Sequence, residues 1–140
     1  MNVANSIALV TGANGGLGQY YIEALRSRGV AKIYAGARNP KALESLVTDH
    51  PDIVIPIALD ITDEESVDRA AAQCPDVTLL INNAGVGFDR GLLAAPDLSR
   101  ARMEMDVNYF GTLMMCRLSS PHRSAVHDGR IRIQISQRAR

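Results

Sequence analysis

Apolar positions along the chain gather into short runs separated by stretches of helical spacing. "SIALV", residues 6–10, is an apolar run of strand length. Behind it Leu17, Tyr21, Ala24 and Leu25 recur at the intervals of one helix face, and Gly29 follows as a stop signal. "AKIYAGA", residues 31–37, predicts a second strand. "NPKALESLVTDH" then offers Asn39 as an N-cap and Pro40 at the first helical position, with Leu43, Leu46 and Val47 as its apolar face. "DIVIPIALD", residues 52–60, predicts a third strand, and Thr62 with Glu65 at capping-box spacing opens a third helix through Val67, Ala70 and Ala71. "DVTLLINNAG", residues 76–85, is a fourth strand whose unbroken apolar run suits burial on both faces of a parallel sheet. From Asp106 a further helix is expected, with Val107, Phe110, Met114 and Leu118 on one stripe.

Strands alternating with helices predict βαβ units and a parallel α/β sheet. The length of 140 residues allows one such domain, and a composition of 46% hydrophobic and 21% charged residues is that of a globular chain. No apolar run approaches the roughly eighteen residues of a membrane helix. The opening "MNVANSIALV" has no basic leader, so a cytoplasmic protein is expected and no membrane partner. Cys74 and Cys116 lack CxxC spacing and His partners, which predicts no metal site and two buried, small apolar side chains.

Charge divides the chain unevenly although its net value is zero. Residues 1–116 hold nine Lys and Arg against fourteen Asp and Glu, while residues 117–140 hold six Arg and the single acid Asp128. Pro121 and the stretch "RLSSPHRSAVHDGR" break the helical period, so residues 1–118 are expected to form the folded unit and 119–140 a divergent basic segment. Within that segment residues 130–136 alternate Arg or Gln with Ile and predict a fifth strand. A basic tail can bind nucleic acid, but this one lacks interleaved aromatics and any recognisable nucleic-acid module, so no nucleic-acid partner is expected.

Chemistry enters with "TGANGGLG", residues 11–18, which sits between the first strand and the first helix. A helix start presents unpaired N–H groups and the positive end of the helix dipole, a natural seat for phosphate. Glycine at Gly12, Gly16 and Gly18 would permit a tight turn, a close approach of backbone to pyrophosphate and close helix packing. A P-loop is excluded because no Lys-Ser or Lys-Thr follows.

"TGANGGLG", "LLINNAG" and "MDVNYFGT", in this order over residues 6 to about 116, resemble the short-chain dehydrogenase/reductase family. The resemblance implies a Rossmann-type, doubly wound sheet, incomplete at its C-terminal end, that binds NAD or NADP. It implies that Gly12, Gly16, Leu17 and Gly18 line the pyrophosphate and that Asn14 lies near the adenosine ribose. Asp60 matches the aspartate that holds the adenine amino group, with Ile61 beside it, and Asn83, Ala84 and Gly85 match the segment flanking the adenine ribose. At the end of the second strand stand Ala37 and Arg38 where a carboxylate would select a ribose 2′-hydroxyl. A guanidinium there suits a 2′-phosphate, so NADP is the expected cofactor over NAD.

Hydride transfer at a carbonyl needs a proton donor whose pKa a nearby cation brings toward neutrality. The family supplies it with a Tyr followed four residues later by Lys, helped by an upstream Ser and by an Asn that Asn108 of "DVNYFG" matches. None of Tyr20, Tyr21, Tyr34 and Tyr109 has Lys at that spacing, and the only lysines are Lys32 and Lys41. Ser136 on the fifth strand is a candidate for the Ser. The resemblance therefore implies an oxidoreductase by ancestry, acting on a small carbonyl or alcohol, cut short of its Tyr and Lys, with a shifted reading frame or aberrant gene end after residue 116. Two further readings stay open: a non-catalytic dinucleotide-binding or interaction module, pairing with intact relatives through the helix of Phe110 and Met114, and a gene remnant that folds poorly; a homo-oligomer is open on any reading.

Overall fold

The structure, a computed structural model, describes residues 3–87 and 97–118, with the backbone alone for residues 118 and 132–135. In chain order it contains β1 (Ile7–Thr11), α1 (Gly16–Arg26), β2 (Lys32–Ala37), a 3-10 turn (Pro40–Leu43) running into α2 (Glu44–Asp49), β3 (Val54–Ala58), α3 (Glu64–Gln73) and β4 (Leu79–Asn82). Beyond these lie α4 (Ser99–Met105), a π-helical turn (Asp106–Gly111), α5 (Thr112–Leu118) and β5 (Arg132–Ile135). The strands are parallel and ordered β3-β2-β1-β4-β5. The chain winds outward from β1 in one direction and from β4 in the other, so the fold is a doubly wound, Rossmann-like α/β sheet with its reversal between β1 and β4. Register pairs Ile7 with Lys32 and Thr11 with Gly36, and Ala8 with Leu79. The ends of β1 and β2 are thereby level.

Both faces of the sheet are covered, which is why its central strands read as continuous apolar runs. Ala8, Val10, Ile33, Ala35, Leu79 and Ile81 pack to one side with Ile22 and Leu25 of α1 and Leu46 of α2. Leu9, Tyr34, Ile57 and Leu80 pack to the other with Val67 and Ala70 of α3 and Met115 of α5. Helices of 6 to 11 residues are marginal in isolation. Burial of a large aliphatic side chain is worth about 1.5–3 kcal/mol, so these faces rather than helix propensity hold the helices in place. Among the described residues no helix is long and apolar enough to cross a membrane.

Strand and helix order follow the sequence expectations, and the expected fifth strand is present as Arg132–Ile135 beside β4. Asn39 caps the turn before α2 by accepting from the Lys41 N–H at 3.1 Å. Four expectations are corrected. First, α1 buries Gly18, Ile22 and Leu25 while Leu17 is 39% exposed, because the loop before the helix turns Gly18 toward the sheet. Second, the cap of α3 is Asp63, which accepts from the N–H groups of Glu65 and Ser66, because Thr62 is already bonded to Asp60. Third, the last helix begins at Ser99 and contains the π-helical turn; Val107 and Met114 pack on the core as expected, but Phe110 is 53% exposed and Gly111 and Met115 are the buried residues, while the Leu118 side chain lies outside the described residues. Fourth, only Cys74 is buried, its thiol pushed up to about 12 by burial. Cys116 is half-buried and accepts from Asn82 Nδ2 at 3.7 Å.

Candidate functional site

The glycines after β1 serve different physical ends. Gly12 has φ of 64°, and a Cβ there would lie 2.8 Å from Ala84 Cα, so both its backbone conformation and its neighbour require glycine. A Cβ on Gly18 would run into the Gly12 carbonyl oxygen and stand 2.8 Å from Ala13 Cα. Gly16, the first residue of α1, has no heavy atom within 4 Å of where a Cβ would be apart from its chain neighbours and its own helix backbone. No contact within the protein excludes a side chain at Gly16; it leaves open the space in front of the first helical turn. That turn carries no acidic residue, and Gly15 before it offers no side-chain cap, so the positive end of α1 is unopposed by any side chain.

Thr11 and Asn83 fasten this loop to the end of β4. Thr11 is 1% exposed, and its Oγ1 accepts from the N–H groups of Asn83 and Ala84, each at 3.0 Å, while donating to Ile81 O at 3.4 Å. Asn83 Nδ2 donates to Thr11 O at 2.9 Å and Gly12 O at 3.0 Å. Buried amides left without such partners are costly, so this small network sets the loop's position. Thr11 is absent from the site residues expected from sequence. Its only signal there is a polar residue between an apolar strand and a glycine.

A cavity of about 380 Å³ opens at the carboxyl ends of the strands. It is lined by Gly12, Asn14, Gly16, Leu17 and Gly18 from the loop and by Arg38 after β2. Asp60 and Ile61 line it from beyond β3, and Asn83, Ala84 and Gly85 from beyond β4. The structure thus brings together every residue picked from the sequence for cofactor binding. Gly15, Ala37, Leu59, Thr62, Val86 and Val107 complete the wall. The Asp60 carboxyl is held below its ordinary range by the Thr62 hydroxyl and then the Thr62 N–H, against the opposing effect of burial, with Arg38 adding a smaller attraction. Asn108, on the π-helical turn, is not in the cavity wall but fastens Val86, which is: its Nδ2 donates to Val86 O at 2.7 Å and its Oδ1 accepts from Val86 N–H at 2.9 Å. Ser136 lies outside the described residues.

The profile of the short chain dehydrogenase family matches residues 6–139. The chain belongs to this family. The short chain dehydrogenase tazN of Aspergillus terreus is 33% identical over 131 residues, which cover 86% of this chain and 28% of that one. Among solved structures, a short chain dehydrogenase from Burkholderia cenocepacia in complex with NADP is 48% identical with a TM-score of 0.78, covering 86% of this chain and 49% of that one. A 3-ketoacyl-(acyl-carrier-protein) reductase from Brucella melitensis complexed with NADH is 27% identical with a TM-score of 0.75, covering 86% and 51%. The chain therefore spans between about a quarter and a half of the length of these relatives.

Family membership directs attention to Tyr and Lys, and one such pair exists at the opposite rim of the sheet. Lys32, at the start of β2, donates to Tyr34 Oη at 3.2 Å and to Asp76 Oδ2 at 2.5 Å, and Tyr34 Oη donates to Asp76 Oδ1 at 2.9 Å. Burial and then the Asp76 hydrogen bond push the Tyr34 phenol up, and the Asp76 hydrogen bond raises Lys32. Each of the three side chains is engaged by the other two. The trio lies a strand's length from Ala37 and Arg38, where the cavity begins.

Proposed function

We propose that this chain binds NADP(H) in the cavity at the carboxyl ends of its strands, as the nucleotide-binding portion of a short chain dehydrogenase. The observation that carries the reading is Gly16: the first turn of α1 faces an open space that no contact within the protein requires, beside a loop fastened by Thr11 and Asn83. The backbone of Gly12, Gly16, Leu17 and Gly18 would take the pyrophosphate through N–H groups and helix dipole. Asn14, Asn83, Ala84 and Gly85 would flank the adenosine ribose, and Asp60 with Ile61 would meet the adenine. Arg38 would hold a 2′-phosphate, since its exposed guanidinium stands where the preceding Ala37 supplies no competing carboxylate. The complex of the Burkholderia relative with NADP supports this choice.

A bound nicotinamide supplies hydride chemistry toward a small carbonyl or alcohol. In this 140-residue sequence no Tyr has a Lys four residues on, and Lys32 is engaged by Asp76 and Tyr34 at the far rim. Asn108, the residue whose sequence context resembles the family's Asn, has its side chain engaged by Val86. We therefore assign to these 140 residues the binding of the cofactor. Calorimetric titration should show saturable NADPH binding, weaker NADH binding, and a reversal of that preference in Arg38→Asp. Absence of saturable NADPH binding would refute the assignment, and equal affinity for NADH would refute the role of Arg38.

A further inference from the structure

Asp60 lines the cavity with two carboxylate oxygens that are used unequally. Its Oδ1 accepts from the Thr62 hydroxyl at 2.7 Å and from the Thr62 N–H at 2.9 Å. No described residue donates to Oδ2. The main chain around the pair is held as well, since the Asp60 N–H donates to Ser66 Oγ at 2.9 Å and the Ser66 N–H donates to the Asp63 cap at 3.2 Å. Ser66 is 6% exposed, which anchors this short loop to the start of α3. Thr62 itself lines the cavity beside Asp60. The donors on Oδ1 favour the ionised carboxyl, and an ionised carboxylate accepts hydrogen bonds and donates none.

On the reading that Asp60 meets the adenine, on which this inference rests, we propose that Thr62 is a positioning residue: it occupies Oδ1, offers only Oδ2 to the base, and makes the site select a 6-aminopurine over a 6-oxopurine. A 6-amino group donates to Oδ2. A 6-oxo group sets an acceptor against Oδ2 and loses that bond, and the N1–H donor that comes with it stands one ring position away from where the 6-amino hydrogen meets Oδ2, so the analogue binds more weakly. Without the Thr62 hydroxyl the carboxylate is held at Oδ1 by the N–H alone and can turn about its side chain, so the fixed presentation that discriminates the two bases is weakened.

The test titrates the full 140-residue chain with NADPH and with its hypoxanthine counterpart, in which oxygen replaces the 6-amino group. Binding is followed by the fluorescence of the reduced nicotinamide, which the absence of tryptophan leaves unobscured. The wild type should prefer NADPH by about tenfold, the size of a hydrogen bond to a charged group. Thr62→Ser should keep that ratio, Thr62→Val should reduce it by about threefold or more, and Asp60→Ala should abolish it. Melting temperatures without ligand confirm that each variant is folded; Thr62→Ala reads the same ratio if Thr62→Val is not. An unchanged ratio in a folded Thr62→Val or Thr62→Ala, or equal binding of both cofactors by the wild type, overturns the inference and leaves the dinucleotide site standing. Binding of neither cofactor overturns both.

Discussion

The two rims of one parallel sheet use similar residue types to opposite ends. At the carboxyl rim, Thr11 and Asn83 bond each other's backbones and hold a glycine loop away from the space before α1. At the amino rim, Lys32, Tyr34 and Asp76 bond one another until each side chain is engaged. A Tyr and a Lys within hydrogen-bond reach thus mark no reactive centre by themselves. What distinguishes a site is polar atoms arranged around unfilled space, and that arrangement occurs where the loops following β1, β2, β3 and β4 converge.

If this contrast is right, damage to the carboxyl rim should reach both stability and binding, and damage to the amino rim stability alone. The largest effect is expected for Gly18→Ala, whose Cβ meets the Gly12 carbonyl and Ala13 Cα, both backbone. A loss of about 3 kcal/mol and roughly 10 °C in melting temperature should accompany loss of NADPH binding, measured by thermal denaturation and titration. Thr11→Val removes the acceptor for two amides in the loop, so about 2 kcal/mol and a weakened cofactor affinity are expected from denaturant unfolding and the same titration. Lys32→Met should lower the melting temperature by no more than about 3 °C, because Lys32 and Asp76 are each about a third exposed, and should leave NADPH affinity unchanged.

The same variant sharpens the contrast through pH. Burial raises the Asp76 pKa, but the hydrogen bonds from Lys32 and Tyr34 outweigh it and the folded value lies below the ordinary 3.8. A lowered folded pKa contributes stability above that ordinary value, lost as the pH falls through the folded one. Below about pH 4 the wild type should therefore lose melting temperature more steeply than Lys32→Met.

Much of the carboxyl rim is legible in the sequence because its signals are local: glycines after an apolar run, Asp60 at the close of another, "NNAG" at the end of a third. The parts that are not legible depend on contacts between distant elements. Thr62 and Asp63 are both good capping residues, and only the prior bond of Thr62 to Asp60 decides that Asp63 caps α3. A helical period read from sequence assumes a constant turn. The π-helical turn breaks that assumption so that Asn108 reaches Val86 while Gly111, where a Cβ would lie 2.9 Å from the Ile61 side chain, closes on the loop after β3. The Lys32, Tyr34 and Asp76 trio joins residues more than forty positions apart, and only the order of strands brings them together.

The most direct test of the site is Gly16→Val. The Cβ it adds meets nothing within 4 Å beyond its chain neighbours and its own helix backbone, so the unliganded chain should melt within about 2 °C of the wild type. NADPH should raise the melting temperature of the wild type and fail to raise that of the variant at the same concentration, corresponding to at least about a tenfold loss of affinity. A variant that NADPH stabilises as strongly as the wild type would contradict the placement of the cofactor at the start of α1.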